Sequence, residues 1–114
     1  MDLKVKTTVL IVDDEESIRE ILKYNLEREK FEVFEAADGE EAVEQFESNM
    51  NKVNLVILDV MMPKQDGWSA LRQIRQISNV PVIMLTARSE EQDELFGYEL
   101  GVDEYVSKPF SPKY

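Results

Sequence analysis

The stretch Leu55-Val56-Ile57-Leu58-Asp59 decides the reading of this chain. An unbroken apolar run of this length fits a strand covered on both faces, as in a parallel sheet. A carboxylate cannot sit inside such a run without a heavy desolvation cost, so Asp59 belongs at the strand's open end. The same arrangement recurs along the chain. Asp13-Asp14 follow Val9-Leu10-Ile11-Val12, Thr86 follows Val82-Ile83-Met84-Leu85, and Lys108 follows Tyr105-Val106-Ser107. In a parallel sheet these polar groups gather at one edge, where open α/β sheets bind their ligands.

Working outward, the segments between these runs read as helices. Ile18, Ile21, Leu22 and Leu26 form one apolar stripe after the first strand, which runs Thr8 to Val12. Residues 31–36 alternate weakly enough to suggest an edge strand. Asp38 then opens a second helix with Glu41 as its capping-box partner, and Ala42, Val43 and Phe46 face inward. A loop at 48–54 leads into the strand ending at Asp59, and 61–67 is a turn rich in helix breakers. Leu71, Ile74 and Ile77 mark a third helix, 80–85 a fourth strand, Leu95, Phe96 and Leu100 a fourth helix capped by Ser89 and Gln92 and stopped at Gly101, and 104–107 a fifth strand. Strand and helix alternate throughout. The fold class is therefore α/β, a doubly wound parallel sheet with right-handed crossovers and helices on both faces.

The 114 residues fit one domain, spanning 1–114, with no linker or repeat. Ser111-Pro112 stands where a fifth helix would start, so that helix is expected to be largely missing. A hydrophobic share of 43% is ordinary, and no apolar stretch approaches the ~20 residues of a membrane span. Without a secretory signal the expected location is the cytoplasm. The net charge of −11 would repel a phosphate backbone, so this domain is not expected to bind nucleic acid directly. The chain has no histidine, which excludes a Ser/His/Asp hydrolase, a His-ligated zinc site and a phosphohistidine carrier, and no cysteine, which excludes disulfides and thiolate metal sites.

Two adjacent carboxylates with a third brought beside them repel one another unless a cation intervenes. An all-oxygen donor set with few protein ligands favours magnesium, and Asp13-Asp14-Glu15-Glu16 lacks the ligand spacing of a calcium EF-hand. Magnesium, a carboxylate, a hydroxyl and a lysine together suit a phosphoryl group, with Asp59 as nucleophile and Thr86 and Lys108 contacting phosphoryl oxygens. Taken singly, each residue has an ordinary role: Asp59 as a turn former, Asp13-Asp14 as a helix cap, Lys108 in a surface loop. Their conjunction carries the functional reading.

Four segments then resemble the motifs of bacterial two-component response-regulator receiver domains: Val9-Leu10-Ile11-Val12-Asp13-Asp14-Glu15, the run from Leu55 through Asp59-Val60-Met61-Met62-Pro63-Lys64-Gln65-Asp66-Gly67, Pro81-Val82-Ile83-Met84-Leu85-Thr86-Ala87, and Gly101-Val102-Asp103-Glu104-Tyr105-Val106-Ser107-Lys108-Pro109-Phe110. The resemblance implies a flavodoxin-like, five-stranded sheet in the order 2-1-3-4-5. It also implies that Asp59 accepts a phosphoryl group from a sensor histidine kinase. Asp14 and Asp59 would bind Mg2+ directly, Asp13 mainly through water, and the Met61 backbone carbonyl would complete the protein ligands. Lys108 would bind the phosphoryl group, with a cis bond to Pro109. Thr86 and Ala87 would flank the phosphoryl group, Ala87 leaving room for a phosphodonor, and Met61, Ala87 and Arg88 would modulate hydrolysis. Thr86 drawn inward and Tyr105 turned to a buried rotamer would then shift the population between two states of the helix four/strand five surface.

Within that family the Thr86 and Lys108 segments look most like the winged-helix OmpR/PhoB type, in which the receiver dimerises through the fourth and fifth helices and fifth strand and positions a DNA-binding domain. A chain ending before the fifth helix is expected to expose apolar surface there and to associate. Other readings are a stand-alone receiver acting by protein–protein contact and a haloacid-dehalogenase-type phosphatase. The phosphatase needs a general acid two residues after the nucleophile, where this chain has Met61.

Overall fold

In the computed structural model the described residues are 7–59, 67–86 and 104–107. The sheet is built outward from β1, Thr8–Val12, whose five residues are all buried. It pairs in parallel with β2, Glu32–Ala36, on one side and with β3, Val53–Asp59, on the other. Next to β3 lies β4, Val82–Thr86, and then β5, Glu104–Ser107, both parallel. The order β2-β1-β3-β4-β5 is the expected one, and β2 takes the edge position that its weak alternation suggested.

Because neighbouring side chains on a strand point to opposite faces, each strand feeds two cores. Leu10, Val12, Val56, Leu58, Val82 and Met84 pack with Ala42 and Phe46 of α2, Gly39–Ser48, and with Ala70, Leu71 and Ile74 of α3, Gly67–Arg75. Val9, Ile11, Ile57 and Leu85 face the other way, against Ile18, Leu22 and Leu26 of α1, Glu16–Arg28. Helices therefore cover both faces, as a continuous apolar strand requires.

Local chemistry sets the helix ends. The α2 N-cap is Asp38, whose side chain accepts the Glu41 amide at 2.8 Å, while Glu41 Oε1 accepts the Ala37 amide at 2.6 Å. The Glu41 carboxylate thus reaches one residue beyond the N-cap, so the capping-box pair closes in a slightly extended form. α1 ends in a Schellman motif: the Phe31 amide donates to Leu26 O and the Lys30 amide to Glu27 O. Lys30 holds the left-handed position at φ 73°, where glycine is usual. Leu26 and Phe31 join the same apolar cluster, which supplies the contact that accompanies this motif.

Four expectations change. Phe31 belongs to the Schellman turn rather than to β2, which starts at Glu32. β3 begins at Val53 rather than after residue 54: the register shifts between Thr8 and Val9, and the Asn54 side chain accepts the Thr8 amide at 2.8 Å, standing in for a ladder acceptor at this bulge. Ile77 is 44% exposed and lies beyond α3, which stops at Arg75. There Arg75 Nη1 donates to the Val80 carbonyl at 2.6 Å and fixes the turn into β4. β4 runs from Val82, after Pro81, through Thr86. The fourth helix, with Ser89, Gln92 and Gly101, and the chain after 107, including the expected missing fifth helix, lie outside the described residues.

Candidate functional site

The register brings the acidic residues level. Val12 pairs with Leu58, so Asp13, the next residue, comes alongside Asp59, the last of β3; Asp59 in turn pairs with Leu85, one residue before Thr86. Carboxylate oxygens of Asp13, Asp14 and Asp59 all lie within 4.8 Å of one another. Asp13 is fully buried, Asp59 is 3% exposed, and Asp14 faces solvent. A buried pair with one exposed member forms a cup open on one side.

The turn after β1 explains how two consecutive aspartates serve one site. Neither is the α1 N-cap, contrary to the ordinary role such a pair has before a helix; that position is Glu15, which makes no side-chain cap. Instead Asp13 Oδ1 accepts the Glu15 amide at 2.9 Å, an Asx-type turn that holds the carboxylate back over the strand end. The Asp13 amide donates to the Ala36 carbonyl at 3.1 Å, extending the β1–β2 pairing by one residue. Asp59 is likewise no surface turn former, since it is both buried and in register.

A nearly buried arginine completes this turn. Arg19 Nη1 donates to the Asp13 carbonyl at 2.7 Å and Nε to Glu35 Oε1 at 3.2 Å, while Lys23 Nζ stands 3.3 Å from Glu35 Oε2. Sequence reasoning passed over Arg19 and Glu35. Their signal is an i, i+4 basic pair, Arg19 and Lys23, beside the apolar stripe of α1 and opposite a glutamate inside β2.

Thr86 ends β4 with its backbone paired to Ser107 of β5, while Tyr105 of β5 pairs with Met84, two residues back from that edge of the sheet. Met61, Ala87, Arg88, Lys108 and Pro109 lie outside the described residues. What the described residues offer is a hard, all-oxygen donor set beside a buried carboxylate, which fits a magnesium-like cation and does not fit a soft metal. No helix among the described residues is long and apolar enough to cross a membrane.

Comparison with known proteins agrees with this geometry. The family model described as "Response regulator receiver domain" matches residues 9–114. The chain is 53% identical over 113 residues to the probable transcriptional regulator ycf27 of Guillardia theta, covering 99% of this chain and 44% of that protein. It is 51% identical over 106 residues to the alkaline phosphatase synthesis transcriptional regulatory protein PhoP of Bacillus subtilis, covering 92% of this chain and 43% of PhoP. It spans less than half the length of these relatives. Among solved structures, the CheX-CheY-BeF3-Mg+2 complex from Borrelia burgdorferi matches with a TM-score of 0.88 at 34% identity, covering 92% of this chain and 80% of that one. With a sheet in this order, an acidic cup at its edge and a family match over nearly its whole length, the chain belongs to the response-regulator receiver domains and resembles the OmpR/PhoB type among them.

Proposed function

We propose that this receiver is a phosphoryl-accepting switch in which Asp59 takes a phosphoryl group from a sensor histidine kinase in an Mg2+-dependent reaction. The observation that carries the reading is the buried Asp59 carboxylate lying within 4.8 Å of the Asp13 and Asp14 carboxylates. Asp14, Asp59 and the Met61 backbone carbonyl would hold the cation directly, and Asp13 would act mainly through water. When bound, the cation neutralises negative charge that would otherwise oppose the approach of a phosphoryl group.

The chain's own residues do the rest. A carboxylate oxygen of Asp59 attacks phosphorus, an O–P bond forms, and the bond from phosphorus to the donor nitrogen breaks. The departing nitrogen keeps the electron pair and takes its proton from water. Lys108 and the Thr86 hydroxyl contact phosphoryl oxygens, and the small Ala87 side chain leaves the entry open. Thr86 and Tyr105 then favour one of two states of the surface around β5, using contacts that only the phosphorylated form makes. Transfer occurs once per signal and ends by hydrolysis at Asp59, so the protein is a switch and not a turnover enzyme. The output is control of transcription through a partner or attached domain, or a second receiver, engaging that surface, in line with the names of the relatives. The site of action is the cytoplasm, where its kinase donor presents the phosphohistidine.

The test is intact-mass measurement after incubation with phosphoramidate and Mg2+. A gain of one phosphoryl group that needs Mg2+ and vanishes in Asp59→Asn is the expected result. An equal gain in that variant would defeat the proposal.

A further inference from the structure

Arg19 stands on the first turn of α1 with its side chain 17% exposed, and its guanidinium spans two partners that belong to different elements. One nitrogen donates to the Asp13 carbonyl at 2.7 Å and another to Glu35 Oε1 at 3.2 Å. Glu35 is itself braced, because its second oxygen lies 3.3 Å from Lys23 Nζ, one helical turn beyond Arg19. A guanidinium is a rigid planar fork, so fixing it on Glu35 fixes where its other nitrogen points.

The consequence falls on Asp13. Its amide is tied to the Ala36 carbonyl of β2, and its carbonyl is tied to β2 again through Arg19 and Glu35. Both peptide groups flanking the Asp13 Cα are therefore held, and the Glu15 amide holds one carboxylate oxygen. The peptide whose carbonyl Arg19 grips is also the one that leads into Asp14. A residue that orients ligands without touching the ion commonly sets much of a site's affinity.

We infer that Arg19, braced by Glu35, is a positioning residue for the acidic site: it locks the Asp13-Asp14 peptide so that both carboxylates converge on Asp59 before a cation arrives. The inference rests on the site reading proposed above. It differs from a simple charge effect, which any cationic side chain at 19 would supply. A lysine keeps the charge and loses the fork that holds a carbonyl and a carboxylate together.

Arg19→Gln, Arg19→Lys and Glu35→Gln in the whole chain separate these roles, read by amide hydrogen exchange in EDTA and by Mg2+ titration of the same samples. Exchange at the Asp13 and Glu15 amides rises about fivefold or more in both Arg19 variants, beyond any rise at the β3 amides, which report global opening. Mg2+ dissociation constants rise roughly tenfold in both, and by less in Glu35→Gln, where the fork is intact but unbraced. Exchange at Asp13 and Glu15 within twofold of the original chain overturns the inference. So does Arg19→Lys retaining the original Mg2+ affinity while Arg19→Gln loses it. Should the unmodified chain bind no Mg2+, the site reading fails, while the exchange arm still judges Arg19. If Arg19→Gln does not fold, Glu35→Gln decides, with faster Asp13 and Glu15 exchange expected and unchanged exchange refuting.

Discussion

Replacing Asp13 with asparagine should make the protein more stable without cations and less responsive to Mg2+. The Asp13 and Asp59 carboxylates are buried and have oxygens within 4.8 Å of each other. At that separation and an effective dielectric of about 20, two unit charges repel by roughly 3.5 kcal/mol. Asp14 adds to this from a solvent-screened position. Asparagine keeps the oxygen that accepts the Glu15 amide but brings a buried NH2 group whose desolvation costs about 1–3 kcal/mol. The net expectation is a gain of about 1–2 kcal/mol in EDTA. For a domain of this size that raises Tm by roughly 5–10 °C. Mg2+ acts in the opposite sense on the comparison: at ten times its dissociation constant it stabilises the unmodified chain by about 1.4 kcal/mol, and should add far less to the variant. Thermal melts in EDTA and across a Mg2+ series measure both effects. An Asp13→Asn protein that melts below the original in EDTA, or gains as much from Mg2+, refutes the reasoning.

Other expectations follow from the packing and the caps. Lys30→Gly, at φ 73°, should stabilise by about 0.5–1 kcal/mol in urea titration, since the left-handed conformation costs a lysine more than a glycine. Asp38→Ala and Glu41→Ala should each cost about 1 kcal/mol, and the double variant less than the sum, because the two side chains close one capping arrangement around the start of α2. Strict additivity in that cycle would show the two bonds to be independent. Phe46→Ala should cost roughly 3–5 kcal/mol in the same assay, as the ring is fully buried between α2 and the sheet. A loss under 1 kcal/mol would mean that the core closes over the gap.

Particular residues explain what could be read beforehand. β1 lies where the sequence puts it because a run such as Val9-Leu10-Ile11-Val12 has no other stable home than between two helical layers. Asp38 and Glu41 were legible because capping is a local interaction with fixed spacing. The start of β3 was not, since Asn54 enters the sheet only by lending its side chain to Thr8, a partner 46 residues away. Ile77 keeps helical spacing, yet α3 ends before it where Arg75 turns the chain toward β4. At the site, the carboxylates were identifiable from their place after apolar runs, whereas the tie from Arg19 to the Asp13 carbonyl is to backbone, which leaves no trace in residue type. The Glu35 contact depends on how β2 lies under α1, a tertiary fact.

The edge position of β2 has a further effect on how copies of this protein meet. Among the described residues no strand pairs with its outer side, which another extended segment could join, yet Glu32 there is exposed and the chain carries a net charge of −11. Two such borders brought together would oppose glutamate with glutamate, so strand addition along this flank is discouraged and the sheet is kept from growing into a polymer.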